Sequence, residues 1–135
     1  MLKTSLHILL VDDNIRFLNR LTALLEELHY SVTTVSARSL DEAFTRIKEK
    51  KPAIVLLDIH MPGKGGMELL AYIKEQHPDT IVIMLTNETG GIIRERCREL
   101  GAAAFLDKTN EIMRLPVILE EIIAGLPEKS FRNTL

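Results

Sequence analysis

Five short apolar segments alternate with five segments of helical periodicity, and this alternation limits the folds open to the chain. The apolar segments predict strands over residues 6–11, 31–35, 53–57, 80–85 and 102–106, because short runs rich in β-branched residues are typical of buried strands. In the other segments apolar residues recur at three- and four-residue steps, which predicts helices over residues 14–28, 40–50, 66–77, 91–100 and 115–124. Alternating units of this size form a parallel sheet with right-handed crossovers and helices on both faces.

The polarity of the strands predicts their order in the sheet. The second strand, residues 31–35, is half polar, which suits an edge position. The first, third and fourth strands are almost wholly apolar and suit the centre. An order of 2-1-3-4-5 meets both conditions. We therefore predict an α/β fold, a flavodoxin-like (βα)5 three-layer sandwich with a parallel five-stranded sheet in that order.

Length and composition favour one domain. The chain has 135 residues, and we expect the domain to cover residues 1–126, with a tail or the start of a linker over residues 127–135. The net charge of −2, with acids and bases interspersed, gives no basis for binding nucleic acid or an anionic membrane. The N-terminus lacks the apolar core of a signal peptide, and no apolar stretch is long enough to span a bilayer. A lone cysteine, Cys97, suits a reducing compartment, so we expect a cytoplasmic protein.

Charged and hydroxyl side chains stand where the predicted strands end. Asp12 and Asp13 follow the first strand and Asp58 follows the third. Thr86 follows the fourth strand and Lys108 stands just beyond the fifth. The carboxyl ends of parallel strands meet at one edge of the sheet, where open α/β folds keep their binding sites. We therefore expect these side chains to converge.

Such a convergence predicts a particular chemistry. Carboxylates a few ångströms apart raise one another's pKa unless a cation lies among them, and Mg²⁺ prefers a couple of carboxylates together with water. Lys108 adds a point charge suited to phosphate, and Thr86 adds a hydroxyl. A metal, a carboxylate nucleophile, a lysine and a hydroxyl together indicate phosphoryl transfer to an aspartate, with Asp58 attacking in line.

Four motifs contain these residues, each at the end of a predicted strand. They are Val11-Asp12-Asp13-Asn14, Leu57-Asp58-Ile59-His60-Met61-Pro62-Gly63, Met84-Leu85-Thr86 and Phe105-Leu106-Asp107-Lys108. Any one of them is weak, but four in this order are highly specific. From about residue 6 to residue 124, the chain resembles the receiver domains of bacterial two-component response regulators. The resemblance implies a signalling receiver that assists its own phosphorylation and dephosphorylation, and not an enzyme acting on other substrates.

The resemblance also implies a role for each acidic position. Asp58 would be the phosphoacceptor. Asp13 and Asp58 would bind Mg²⁺ directly, together with the backbone carbonyl of His60. Asp12 would help to hold the metal through water.

Further implied roles concern the phosphoryl group and the partners. Thr86 and Lys108 would bind the phosphoryl oxygens, and Phe105 matches the aromatic switch position that turns inward when the threonine shifts. The implied donor is a sensor histidine kinase or a histidine phosphotransfer protein. The face built from the fourth helix, fifth strand and fifth helix would then change shape for a partner or for a second copy of the chain. No membrane partner and no direct nucleic-acid binding are expected.

Three positions depart from the usual pattern of this family. Thr109 follows Lys108 where proline is common, so we expect a trans peptide bond there, since a cis bond without proline costs roughly 3 kcal/mol. Asn87 after Thr86 is bulkier than usual. Pro116 is expected in the first turn of a shortened last helix, after a separate turn over residues 110–114.

Other functions use some of the same residue types. An aspartate-nucleophile phosphatase of the haloacid-dehalogenase type needs D-x-D, and Asp58-Ile59-His60 lacks the second carboxylate. A flavodoxin would need phosphate contacts after the first strand, where Asp12 and Asp13 would repel the anion. Two alternatives stay open within the receiver hypothesis. The chain is either a stand-alone response regulator or phosphorelay intermediate, or the receiver excised from a DNA-binding transcriptional regulator.

Overall fold

The computed structural model describes residues 4–61, 65–87 and 90–133. Within them the strands are β1 Thr4–Val11, β2 Val32–Ala37, β3 Ile54–Leu57, β4 Ile81–Thr86, β5 Ala104–Asp107 and β6 Phe131–Asn133. The α-helices are α1 Ile15–Leu25, α2 Leu40–Lys50, α3 Gly66–Gln76, α4 Gly91–Glu99 and α5 Leu115–Ala124. Short 3₁₀ turns, Ile112–Arg114 and Glu128–Ser130, precede α5 and β6.

The five central strands form a parallel sheet in the order β2-β1-β3-β4-β5, which confirms the predicted topology. The register aligns the carboxyl ends of the strands. Val11 of β1 pairs with Leu57 of β3, and Leu57 pairs with Met84 of β4. The residues that follow these pairs therefore emerge at one edge of the sheet.

Two apolar layers enclose the sheet, as expected for a three-layer sandwich. In β1, residues Leu6, Ile8 and Leu10 pack into the layer formed with α1 and α5. The alternate residues Leu9 and Val11 pack into the layer formed with α2, α3 and α4. A strand with helices on both faces buries its successive side chains on opposite sides, which explains why β1 is apolar from Ile8 to Val11.

Local capping fixes several helix boundaries. The Glu42 N–H donates to the Ser39 side chain at 3.1 Å, so Ser39 caps the N-terminus of α2. Gly101, with φ of +108°, ends α4 in the left-handed region that favours glycine. The first helix is shorter than predicted. The Glu27 and Leu28 N–H groups bond three residues back, to Leu24 and Leu25, so the last turn tightens and α1 ends at Leu25.

The loop between β5 and α5 follows the sequence prediction. Pro116 lies in the first turn of α5, where the missing N–H has no helical partner to lose. The 3₁₀ turn Ile112–Arg114 is the separate turn expected before it. No peptide bond within the described ranges is cis, so the Lys108–Thr109 bond is trans.

The C-terminal segment, expected to be a tail or the start of a linker, contributes a sixth strand. Residues 131–133 form β6, which pairs antiparallel with the first residues of β1, Leu6 opposite Phe131 and Thr4 opposite Asn133. The Phe131 ring lies 6.1 Å from the Tyr30 ring and packs against the core layer of α1 and α5. This single aromatic contact anchors a segment otherwise poor in apolar residues. Among the described helices, none has the length and apolar character needed to cross a bilayer.

Candidate functional site

The sheet register places the predicted site residues together at the carboxyl edge. The Asp12 N–H donates to the Ala37 carbonyl and the Asp58 N–H to the Val11 carbonyl, each at 3.0 Å. Both carboxylates therefore leave the sheet from hydrogen-bonded backbone. Asp12 is 1 % exposed and Asp58 5 % exposed, so burial makes a partner for each charge necessary.

Three carboxylates form an acidic cluster at this edge. One oxygen from each of Asp12, Asp13 and Asp58 lies within 4.8 Å of the other two. Asp13 is exposed, whereas the other two are buried. Hard oxygen donors at this spacing, one of them open to solvent, suit a hard divalent cation that keeps part of its water. The donor set therefore fits Mg²⁺.

Lys108 joins two of these carboxylates. Its Nζ lies 3.0 Å from Asp58 Oδ2 and also bonds Asp12 Oδ2. The Lys108 side chain is 11 % exposed, so the ion pairs are largely shielded from water. The Lys108 N–H donates to the Thr86 carbonyl at 2.9 Å, which ties the ends of β4 and β5 together beneath the ammonium group.

The charge on Asp58 reflects opposing influences. Burial raises the pKa of Asp58 most strongly, and the nearby Asp12 carboxylate raises it further. The Lys108 ammonium and the His60 N–H, which donates to Asp58 Oδ1 at 3.0 Å, lower that pKa. The net direction is upward, as expected for a carboxylate removed from water beside a second carboxylate.

The turn after β1 contains contacts that the sequence analysis missed. Asn14 is the N-cap of α1, and its side chain accepts from the N–H groups of Arg16 and Phe17. The Asn14 N–H donates to Asp12 Oδ1 at 2.8 Å. Phe17 then brings its ring over Lys108, with 4.3 Å between Nζ and the ring centroid. The cap is visible in the sequence as an asparagine before an apolar stripe, but the ring contact joins residues 91 positions apart.

Phe105 lies at the opposite side of the site. Thr86 is fully buried and Phe105 is 8 % exposed, so both side chains are shielded from solvent. The Arg94 guanidinium lies over this ring, 4.6 Å from its centroid, and donates to the Phe105 carbonyl at 3.1 Å. Arg94 also pairs with Glu111 at 3.1 Å. Sequence reasoning missed Arg94 and Glu111, because nothing in their local pattern marks them.

The His60 side chain is exposed, and its backbone N–H is directed to Asp58. Pro62 and Gly63, the end of the longest motif, lie outside the described residues. Four of the residues predicted to share this edge, Asp12, Asp13, Asp58 and Lys108, converge. The fifth, Thr86, ends β4, and its carbonyl accepts from the Lys108 N–H.

Comparison with known proteins agrees with this architecture. Residues 8–120 match the family described as response regulator receiver domain. The chain is 35% identical over 104 residues to a protein-glutamate methylesterase/protein-glutamine glutaminase of Bacillus licheniformis, covering 76% of this chain and 29% of that protein. It is 33% identical over 121 residues to the nitrogen assimilation regulatory protein NtrX of Azorhizobium caulinodans, covering 88% of this chain and 26% of that protein.

A solved structure shows the same fold. The signal receiver domain of a DNA binding response regulator protein from Colwellia psychrerythraea superposes with a TM-score of 0.83 at 25% identity, covering 89% of this chain and 99% of that one. The chain thus spans less than a third of the two curated relatives named above and nearly all of an isolated receiver structure. The family match covers most of the chain, and the chain therefore belongs to the response regulator receiver domain family.

Proposed function

We propose that this receiver is a Mg²⁺-dependent phosphoacceptor in which Asp58 takes a phosphoryl group from a sensor histidine kinase or a histidine phosphotransfer protein. The observation that supports this most directly is the pairing of the buried Asp58 carboxylate with Lys108, beside two further carboxylates. The carboxylate can act as the nucleophile, and the ammonium group can neutralise charge on the phosphoryl oxygens.

The transfer is a single in-line displacement. An Asp58 carboxylate oxygen forms a bond to phosphorus while the bond from phosphorus to the donor imidazole nitrogen breaks, and the electron pair leaves with that nitrogen. Lys108 would then exchange its contact with the Asp58 oxygen for a phosphoryl oxygen. Thr86, buried at the end of β4, would supply a hydroxyl to another phosphoryl oxygen.

Mg²⁺ would be held by Asp13 and Asp58 directly, with the backbone carbonyl of His60, and by Asp12 through water. A bound Mg²⁺ supplies positive charge that offsets the developing charge on the phosphoryl oxygens. Asp12 already bonds Lys108 and the Asn14 N–H.

Signal output would pass through Thr86 and Phe105 to the face formed by α4, β5 and α5. Arg94 of α4 donates to the Phe105 carbonyl of β5 and pairs with Glu111. A phosphoryl group that draws Thr86 inward would bias the face toward a second arrangement, to the extent that its contacts differ between the two states. The proposed reader of that face is a partner protein or a second copy of the chain.

The proposed activity of this chain is signalling. The Bacillus licheniformis relative, whose name is that of a methylesterase, is a longer protein. Residues 1–126 would be the phosphoacceptor domain, and residues 127–135 a tail or linker that contributes β6. A stand-alone receiver or phosphorelay intermediate and the receiver of a DNA-binding regulator remain the two forms of this proposal. The reading frame after Leu135 and the neighbouring genes distinguish them.

The acceptor is tested by intact mass. Wild-type protein incubated with acetyl phosphate or a histidine phosphotransfer protein should gain one phosphoryl group only when Mg²⁺ is present, and Asp58→Asn should gain none. Asp107→Asn is the matched control, because Asp107 also ends a strand but caps the next turn through the Thr109 N–H at 2.7 Å. A Mg²⁺-dependent adduct on Asp58→Asn would show that the acceptor is another residue.

A further inference from the structure

Phe17 covers one side of the Lys108 ammonium group. That group has three N–H donors, and in this structure two carboxylates, on Asp12 and Asp58, accept from it. The Phe17 ring lies on a further side, with 4.3 Å from Nζ to the ring centroid, well within the range of a cation–π contact. The ring therefore stands where water would otherwise solvate the ammonium.

The position of this ring is fixed by the same residue that orients Asp12. The Asn14 side chain accepts from the Phe17 N–H at 3.1 Å, and the Asn14 N–H donates to Asp12 Oδ1 at 2.8 Å. Phe17 also packs against the apolar layer of α1 and α5. The start of α1 thus positions both the Phe17 ring and the Asp12 carboxylate next to Lys108.

We propose that Phe17 is a positioning residue for phosphoryl transfer, holding the Lys108 ammonium against Asp58 through a cation–π contact. The inference rests on the proposed phosphoacceptor function. The negative face of the ring favours the cation in a place where little water competes. Without the ring, Lys108 keeps its charge but spends more time turned toward solvent, so fewer encounters with a phosphoryl donor find it in place.

The expected effect is on rate. Phe17→Leu should lower the rate constant for phosphorylation of Asp58 by acetyl phosphate about fivefold, the change expected for losing one partly shielded cation–π contact. Phe17→Trp, with a more electron-rich ring, should phosphorylate as fast as the wild type or faster. A loss of packing alone would not favour tryptophan over leucine.

Fluorinated phenylalanines separate electrostatics from packing. Replacing Phe17 in the full chain by its mono-, di- and trifluoro analogues weakens the negative ring face stepwise with little change in size. The logarithm of the phosphorylation rate constant should fall with each fluorine. The same series at Phe44, which packs edge-on against Tyr72 with 4.8 Å between ring centroids, should leave the rate unchanged.

A second comparison establishes that Phe17 acts through the lysine. In a Lys108→Met background, fluorination at position 17 should no longer change the residual rate. If the wild type is phosphorylated but fluorination at position 17 leaves the rate constant unchanged, the role of Phe17 is overturned and the proposed function is not. The same conclusion follows if fluorination still changes the rate in the Lys108→Met background. A wild type that gains no phosphoryl group would overturn the proposed function and this inference with it.

Discussion

At the scale of single residues, Lys108 supplies the positive charge that lets two buried carboxylates lie side by side. Removing charges from water costs several kcal/mol per ion, and their mutual attraction offsets this only where the geometry is good. Here Asp12 and Asp58 both accept from Nζ, and each also accepts a backbone N–H, from Asn14 and His60. The arrangement makes both buried carboxylates depend on one lysine.

Lys108→Met should therefore lower the free energy of unfolding by about 3 kcal/mol at pH 7, because it leaves buried carboxylates without their cation. The loss should be smaller at pH 5. The pKa of Asp58 is already raised in the folded protein, so folding takes up a proton and stability from this group falls as pH rises through that pKa. Because Lys108 lowers the pKa of Asp58, removing Lys108 raises that pKa further. The loss of stability then extends to higher pH.

Urea unfolding of both proteins at pH 5 and pH 7 measures this effect, and added Mg²⁺ should recover part of the loss at pH 7. Lys48→Met is the control, since Lys48 is exposed on α2. An equal loss of stability at both pH values would show that Lys108 contributes by packing and not by its charge.

At the scale of elements, the site depends on how closely helices approach the strand ends. The start of α3 lies directly against the residue that carries the proposed acceptor. A Cβ built on Gly66 would stand 2.4 Å from the Asp58 carbonyl oxygen, which is closer than real side chains come. The Gly66 N–H also donates to the Ile59 carbonyl at 2.9 Å, so the helix start is tied to the same loop.

Gly66→Ala should destabilise the protein by roughly 1–3 kcal/mol and slow phosphorylation, since the clash is with backbone and the Asp58 loop must move to relieve it. Gly65→Ala is a matched control, because a Cβ there meets its nearest neighbour at an ordinary 3.6 Å. Thermal unfolding and the rate with acetyl phosphate should separate the two variants. Similar values for both would mean that α3 can shift without disturbing Asp58.

In the molecule as a whole, the two ends of the sheet carry different structural features. The carboxyl ends of the strands hold the acidic cluster, whereas β6 pairs with the opposite end of β1. From Leu6 to Asp12 the strand runs roughly 20 Å at 3.3 Å per residue. The segment 131–133 also lies outside residues 8–120, the part that matches the family.

Deleting residues 127–135 should lower the melting temperature by roughly 3–8 °C, corresponding to about 1–2 kcal/mol, because it removes the Phe131 contact with the core and uncovers the N-terminal end of β1. Phosphorylation of Asp58 should continue at the wild-type rate, because the acidic cluster is distant. A chain ending at Asn133 keeps β6 and should melt like the full chain. An unchanged melting temperature for the longer deletion would mean that β6 adds no stability.

Sequence alone was enough to predict the alternation of strands and helices, the strand order and the charged residues at the carboxyl edge. These features follow from local periodicity and from strand polarity, which can be read from residues that are neighbours in the chain. The helix caps at Ser39 and Gly101 are likewise set by the residue types next to the helix ends. The family resemblance added the expected roles of those residues.

The groups that contact Lys108 could be identified only from the folded structure. Asp12, Asp58 and Phe17 lie at least 50 positions from Lys108 in the chain, and no local pattern records such contacts. The same holds for Arg94 over Phe105. Strand β6 was not predicted because three residues are too few to show a period, and because its partner strand β1 lies more than a hundred residues earlier in the chain. Local physics determines elements, whereas contacts between distant residues determine the site.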